Sequence, residues 1–129
     1  MSANFELTMY NGSRHLMILH KVNPNSCDTC MTTSGPNVFS IAPFGRCVLL
    51  LEDSNDSSCN CWGANKYLDW TVKENGDSSR RFGFKSYVSP DRVRVYGDVI
   101  YAETSGSPCL NPCWVDRNSD QAIPVNIYL

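Results

Sequence analysis

The sequence predicts an all-β fold, a single-domain antiparallel β-sandwich of eight to nine short strands reinforced by disulfides. Three observations predict it. Short alternating apolar runs are separated by turn residues at close spacing. No window combines a helical period with a cap. Six of the seven cysteines fall in tight pairs, Cys27-x-x-Cys30, Cys59-x-Cys61 and Cys109-x-x-x-Cys113, which reads as a framework for stapled loops. A small β-barrel is the alternative architecture. The 129 residues make one domain, residues 1–129. That length buries a real core, so disulfides would reinforce the fold rather than create it.

The elements follow in order. Phe5 to Tyr10 alternates apolar and polar, and Asn11-Gly12 is a strong two-residue turn signal. A hairpin with Ser13 to Val22 is therefore expected, pairing Leu7 with Leu16 and Phe5 with Ile18 on one face. Glu6, Thr8, His15 and Met17 would share the other face. Residues 23–36 read as a loop carrying the first cysteine pair. Asn37 to Ile41 reads as a strand and Ala42 to Gly45 as a turn. Arg46 to Glu52 is the most continuous apolar run and is expected to be central. Asp53 to Ser58 reads as a polar loop outside the packing. Tyr67 to Lys73 puts Leu68, Trp70 and Val72 on one face. Arg81 to Val88 does the same with Phe82, Phe84 and Val88. Arg92 to Tyr96 and Val99 to Glu103 flank Gly97-Asp98. Thr104 to Asp120 is a second cysteine-bearing loop. Ala122 to Leu129 closes the chain, with Pro124 suggesting an edge strand.

Composition excludes some functions. The formal net charge is −2, from 11 basic and 13 acidic residues, which argues against a general nucleic-acid binder. The longest apolar runs are far too short for a helix that spans a bilayer. Met1 to Glu6 has neither a basic start nor an apolar run. The expected location is nonetheless extracellular, with the leader lying outside this sequence, because cysteine content and two sequons favour it. Those sequons name Asn11 and Asn55 as glycosylation candidates.

The cysteines allow three chemistries. As structural disulfides, seven cysteines permit about 105 arrangements of three bonds. Geometry trims this number. Cys59 and Cys61 should take different partners, Cys109 and Cys113 can join each other, and Cys47, inside an apolar strand, is the natural free thiol. A zinc site from Cys27, Cys30, Cys59 and Cys61 has an over-long spacing and lacks the glycine and basic residues of a knuckle. A redox Cys27-x-x-Cys30 lacks the helix that lowers a thiol pKa. No metal and no cofactor are expected.

Trp62 and Trp114 each follow a cysteine. Each indole either packs on its disulfide within the core or is presented by a tethered loop. The second reading suits sugar binding, with Trp62, Asn65, Tyr67, Trp114, Asp116 and Arg117 as the ligand-binding set. Indole faces cover sugar rings, and amide, carboxylate and guanidinium groups bond hydroxyls. Arg92 and Arg94 share one strand face, which is either solvated surface or an anion site for phosphate, sulfate or a lipid head group. No Gly-x-Ser-x-Gly, HExxH or phosphate loop occurs, and no catalytic residues are assigned, so the sequence points away from an enzyme. A Glu6–His15 ribonuclease-type pair is the one acid–base arrangement that the hairpin would bring together.

The strand-rich layout opening on Phe5-x-Leu7-x-Met9-x-Asn11-Gly12 resembles small fungal and invertebrate β-sandwich lectins and cytolysins in architecture. The resemblance is one of architecture alone; the two tryptophan-bearing loops carry the leading expectation, a secreted recognition protein that binds glycans in defence or host interaction. A membrane-active cytolysin is the alternative, with aromatic rings at a membrane surface. A secreted effector or inhibitor binding a protein partner through residues 104–120 is another.

Overall fold

The structure, a computed structural model, describes residues 4–87, 92–115 and 121–129. Among the described residues, twelve strands form two open six-stranded sheets that are not closed into a barrel. In chain order they are β1 (Asn4–Tyr10), β2 (Met17–Lys21), β3 (Met31–Thr33), β4 (Val38–Ile41), β5 (Arg46–Asp53) and β6 (Lys66–Glu74). There follow β7 (Asp77–Tyr87), β8 (Arg92–Gly97), β9 (Tyr101–Thr104), β10 (Ser107–Pro108), β11 (Cys113–Trp114) and β12 (Ile123–Tyr128). The first sheet has the order β10-β9-β12-β1-β5-β3 and the second β11-β8-β7-β6-β2-β4. Neighbours are antiparallel except β1 and β12, which run parallel.

The core lies between the sheets. Phe5, Leu7 and Met9 of β1 with Val125 and Ile127 of β12 face Leu68, Trp70 and Val72 of β6, Phe82 and Phe84 of β7, and Val93 and Val95 of β8. The rings of Phe5 and Phe84 meet edge to face at 4.9 Å. Each such buried apolar side chain stabilises the fold by roughly 1.5–3 kcal/mol. Asp53 and Ser86 also meet here, Ser86 Oγ donating to Asp53 Oδ2 at 3.3 Å, so the start of the 53–58 loop does take part in packing.

Every predicted strand forms, but several partners differ. The Asn11-Gly12 hairpin is absent. β1 pairs with β5 and β12, while β2 pairs with β4 and β6 in the other sheet. Neither Asn11 nor Gly12 takes the positive φ that a type I′ turn needs. Instead Asn11 is buried, and its Nδ2 donates to the carbonyls of His15, Ile41 and Ala42 while its Oδ1 accepts from Ser13 N. The side chain holds the crossing between sheets. The expected register was also one residue off. Met17 and Leu19 are buried, whereas Leu16 is exposed, because a slip of one flips every side chain.

β5 lies beside the short edge strand β3 rather than in the centre, and its apolar run is split between faces. Leu49 and Leu51 are buried, while Val48 and Leu50 point outward and are 48% and 55% exposed. β12 is an interior strand. Pro124 is tolerated near its start because the ladder to β9 begins only at Val125. β3, β10 and β11 are too short to leave a pattern in the sequence. The 23–36 loop contains one turn of helix, α1 (Ser26–Thr29), capped by Asn25 Oδ1 accepting from Cys27 N at 3.0 Å. Val88 lies outside the described residues.

Candidate functional site

The outer face of the second sheet is where polar and aromatic side chains converge. Strand alternation sends Tyr67, Asp69 and Thr71 of β6, Arg81, Lys85 and Tyr87 of β7, and Arg92, Arg94 and Tyr96 of β8 away from the core. Register then sets them side by side. Tyr67 is opposite Lys85, and Lys85 opposite Arg94. Tyr87 is opposite Arg92, and Arg92 opposite Trp114. Asp69 and Tyr96 flank Gly83 from its two neighbouring strands.

Gly83 makes the site possible. A Cβ there would run into Asp69 Oδ1 and the Tyr96 hydroxyl. With only hydrogen, the two side chains reach across β7 and meet, the Tyr96 hydroxyl donating to Asp69 Oδ1. Arg81 Nη2 donates to Asp69 Oδ2 at 2.7 Å. Burial, and then the bond to Asp69, push the Tyr96 hydroxyl well above its ordinary pKa, so it stays a donor. The Asp69 bond likewise raises the Arg81 pKa. Tyr67, Asp69, Lys85, Tyr87, Arg94 and Tyr96 line a shallow cavity of about 340 Å³. Lys85 Nζ sits 5.0 Å and the Arg92 guanidinium 5.3 Å from the Tyr87 ring centroid. Arg94 Nε donates to Leu110 O at 3.1 Å.

The two exposed tryptophans stand at one end of this sheet, Trp62 in a loop and Trp114 on β11. Lys66, Ser86, Val93 and Cys113 form a transverse row there. The loop holding Trp62 and Asn65 enters β6 at that row, and Trp114 is the next residue outward on β11. Trp62 is 78% exposed and Trp114 72% exposed, so neither indole packs in the core. The Trp62 loop is fixed from beneath. Lys66 is buried, its Nζ donating to Cys61 O at 3.0 Å and Ala64 O at 2.7 Å.

The disulfides join Cys27 to Cys59, Cys30 to Cys61 and Cys109 to Cys113. They tie α1 to the 3-10 turn Ser57–Cys59 and brace the approach to Trp62 and Trp114. The four sulfurs of the zinc reading are thus spent in two disulfides. Cys47 is free and half-buried among core side chains, and burial raises its thiol pKa. Three disulfides are consistent with an oxidising, extracellular location.

Of the predicted ligand-binding set, Tyr67 lines the cavity. Trp114 shares a row with Arg92 and Tyr87 but contributes to the wall of another hollow, of about 300 Å³, with Val115, Ile123 and Pro124. Trp62 and Asn65 stand in the loop at the same end, outside both cavities. Asp116 and Arg117 lie outside the described residues. Asn55 is half-buried in the loop before the 3-10 turn, whereas the Asn11 amide is engaged inside the fold and cannot carry a glycan without unmaking those bonds. Glu6 faces outward on β1 and His15 lies in the crossing, so no hairpin register aligns them.

Sequence reasoning missed Asp69, Lys85, Tyr87 and Tyr96. The outward positions of Tyr67-x-Asp69, Lys85-x-Tyr87 and Arg92-x-Arg94-x-Tyr96 were a usable signal, since each strand pairs aromatic with charged residues on one face. Their lateral adjacency needed the register. No family model matches the chain, and no curated protein matches it.

Proposed function

We propose that this chain is a secreted, lectin-like recognition protein that binds glycans on the outer face of the second sheet, in defence or host interaction. One observation carries the reading. A cavity of about 340 Å³ is walled by Tyr67, Tyr87 and Tyr96 together with Asp69, Lys85 and Arg94. Aromatic rings to cover a sugar and polar groups to bond its hydroxyls are the two requirements of such a site. The wall stands on strands rather than loops, so little ordering cost is left for binding. Trp62 and Trp114 add exposed aromatic surface at the same end.

A glycan array tests the reading. Sugar-dependent binding is expected, falling at least tenfold in Tyr67→Ala. A combined Trp62→Ala and Trp114→Ala variant with unchanged melting should weaken it further. An array without a single sugar-dependent signal, or undiminished binding in all three substitutions together, would sink the proposal. Leakage from liposomes at the same protein concentration would instead favour a membrane-active cytolysin.

A further inference from the structure

We infer that the glycan bound on this face is anionic, with a sugar carboxylate or sulfate seated over Lys85, Arg92 and Arg94. This rests on the glycan reading and narrows it.

The argument is electrostatic. Lys85 and Arg94 are directly opposite on adjacent strands, and Arg92 and Arg94 are two residues apart on β8. Strand spacing sets the Lys85 and Arg94 backbones about 5 Å apart and those of Arg92 and Arg94 about 7 Å apart. Like charges on side chains rooted this close together repel, and an anion lying between them relieves the repulsion. The ion pairs among the described residues join Arg80 to Glu74 and Arg81 to Asp69. None joins Lys85, Arg92 or Arg94 to a carboxylate of the described residues, in a chain whose acidic residues outnumber its basic ones, 13 to 11.

The local contacts orient these charges without neutralising them. Lys85 and Arg92 rest against the Tyr87 ring, a cation–π arrangement that leaves the positive charge intact. Arg94 spends Nε on a backbone carbonyl, and its terminal nitrogens keep the fork that fits a carboxylate or sulfate. Arg92 Nε is buried and has no acceptor among the described residues.

The choice between neutral and anionic sugar turns on acceptors. A neutral sugar is held by acceptors for its hydroxyl protons as well as donors. The carboxylate in this cavity, Asp69, already accepts from Arg81 and Tyr96. What remains toward solvent is donor-rich and positively charged.

The test compares neutral, uronate-bearing, sialylated and sulfated glycans on one array at low salt and in 0.5 M NaCl (a roughly 3–5 Å Debye length). Binding should be confined to the charged glycans, and should fall at least tenfold in high salt and in Lys85→Gln combined with Arg94→Gln. Lys85→Arg should retain it, and so should Arg46→Gln on the other sheet. Neutral glycans bound equally well by wild type and the double variant would overturn the anionic assignment and leave the glycan reading standing. An equal loss in Arg46→Gln would reduce the effect to overall charge and also overturn the assignment. Inorganic sulfate competing at the glycan's own concentration would identify a plain anion site, against both. An array with no binding would remove the glycan reading itself.

Discussion

The two sheets share a core and a strand number, yet their outer faces use tyrosine in opposite ways. On the first sheet, Tyr101, Tyr128 and Tyr10 occupy one transverse row. Tyr10 and Tyr128 stack at 4.9 Å with an interplanar angle of 8°, and Tyr101 leans on Tyr128 at 6.1 Å. These rings spend their faces on each other. Glu103 lies beside this row, and Asn126 Nδ2 donates to Glu103 Oε1 at 3.2 Å. Among the described residues, no strand of that sheet contains glycine. On the second sheet, Gly83 gives Asp69 and Tyr96 room to meet across β7. Gly97, at φ +93°, lets the end of β8 approach the backbone of Arg81 and Phe82. Tyr67, Tyr87 and Tyr96 there border a hollow. Aromatic residues that satisfy one another are fabric, whereas those separated by missing side chains leave a place for a ligand.

The contrast breaks most visibly at Gly83. Gly83→Ala should drive Asp69 and Tyr96 apart and destabilise the fold by about 2 kcal/mol, read as a shift of the urea midpoint. Glycan binding should fall with it. An unchanged midpoint and unchanged binding would show that the second face does not depend on that space.

Tyr128→Ala sharpens the comparison from the other side. It should cost about 1 kcal/mol through lost stacking and area and leave glycan binding as it was. Loss of binding in that variant would move the recognition surface to the first sheet.

The smallest effect separates the faces by pH. The folded state raises the Tyr96 pKa above the ordinary 10.0. Above about pH 10 the unfolded chain releases this proton while the folded chain keeps it. The associated stability is therefore complete below pH 10 and declines as pH climbs beyond it. Denaturant midpoints at pH 9 and 11 should fall further in wild type than in Tyr96→Phe. Tyr128, also shifted upward, remains in both proteins, so the difference isolates Tyr96. Equal declines would show that Tyr96 shares no proton-linked contact with Asp69.

Much of the fold was legible because alternation reports which face of a strand is buried. Leu68, Trp70 and Val72, and Phe82 with Phe84, were placed correctly on that basis alone. Alternation does not report the partner strand. The Phe5 to Tyr10 pattern fits a hairpin and a sheet crossing equally well, and only the three carbonyls around Asn11 Nδ2 decide between them. The run Arg46 to Glu52 misled for a related reason, since Val48 and Leu50 are apolar but exposed. In the site, Tyr67 and the paired arginines could be read from one strand each. The Asp69–Tyr96 contact could not, because it spans three strands and depends on what Gly83 lacks. The disulfide pattern was partly legible. Short spacing keeps Cys59 and Cys61 from bonding to each other, but nothing local joins Cys27 to Cys59.

The parallel bonds Cys27–Cys59 and Cys30–Cys61 bear on how the molecule survives proteases. Any single cut between residues 30 and 59 falls inside at least one closed loop, so both fragments stay covalently attached. The exposed stretch from Ser34 to Val38 and the polar run from Ser54 to Ser58 both lie within that interval. A nicked molecule keeps β6 to β8 on the same covalent scaffold as β1. Clipping in this quarter of the chain therefore leaves one piece, with the Trp62 loop still joined to α1.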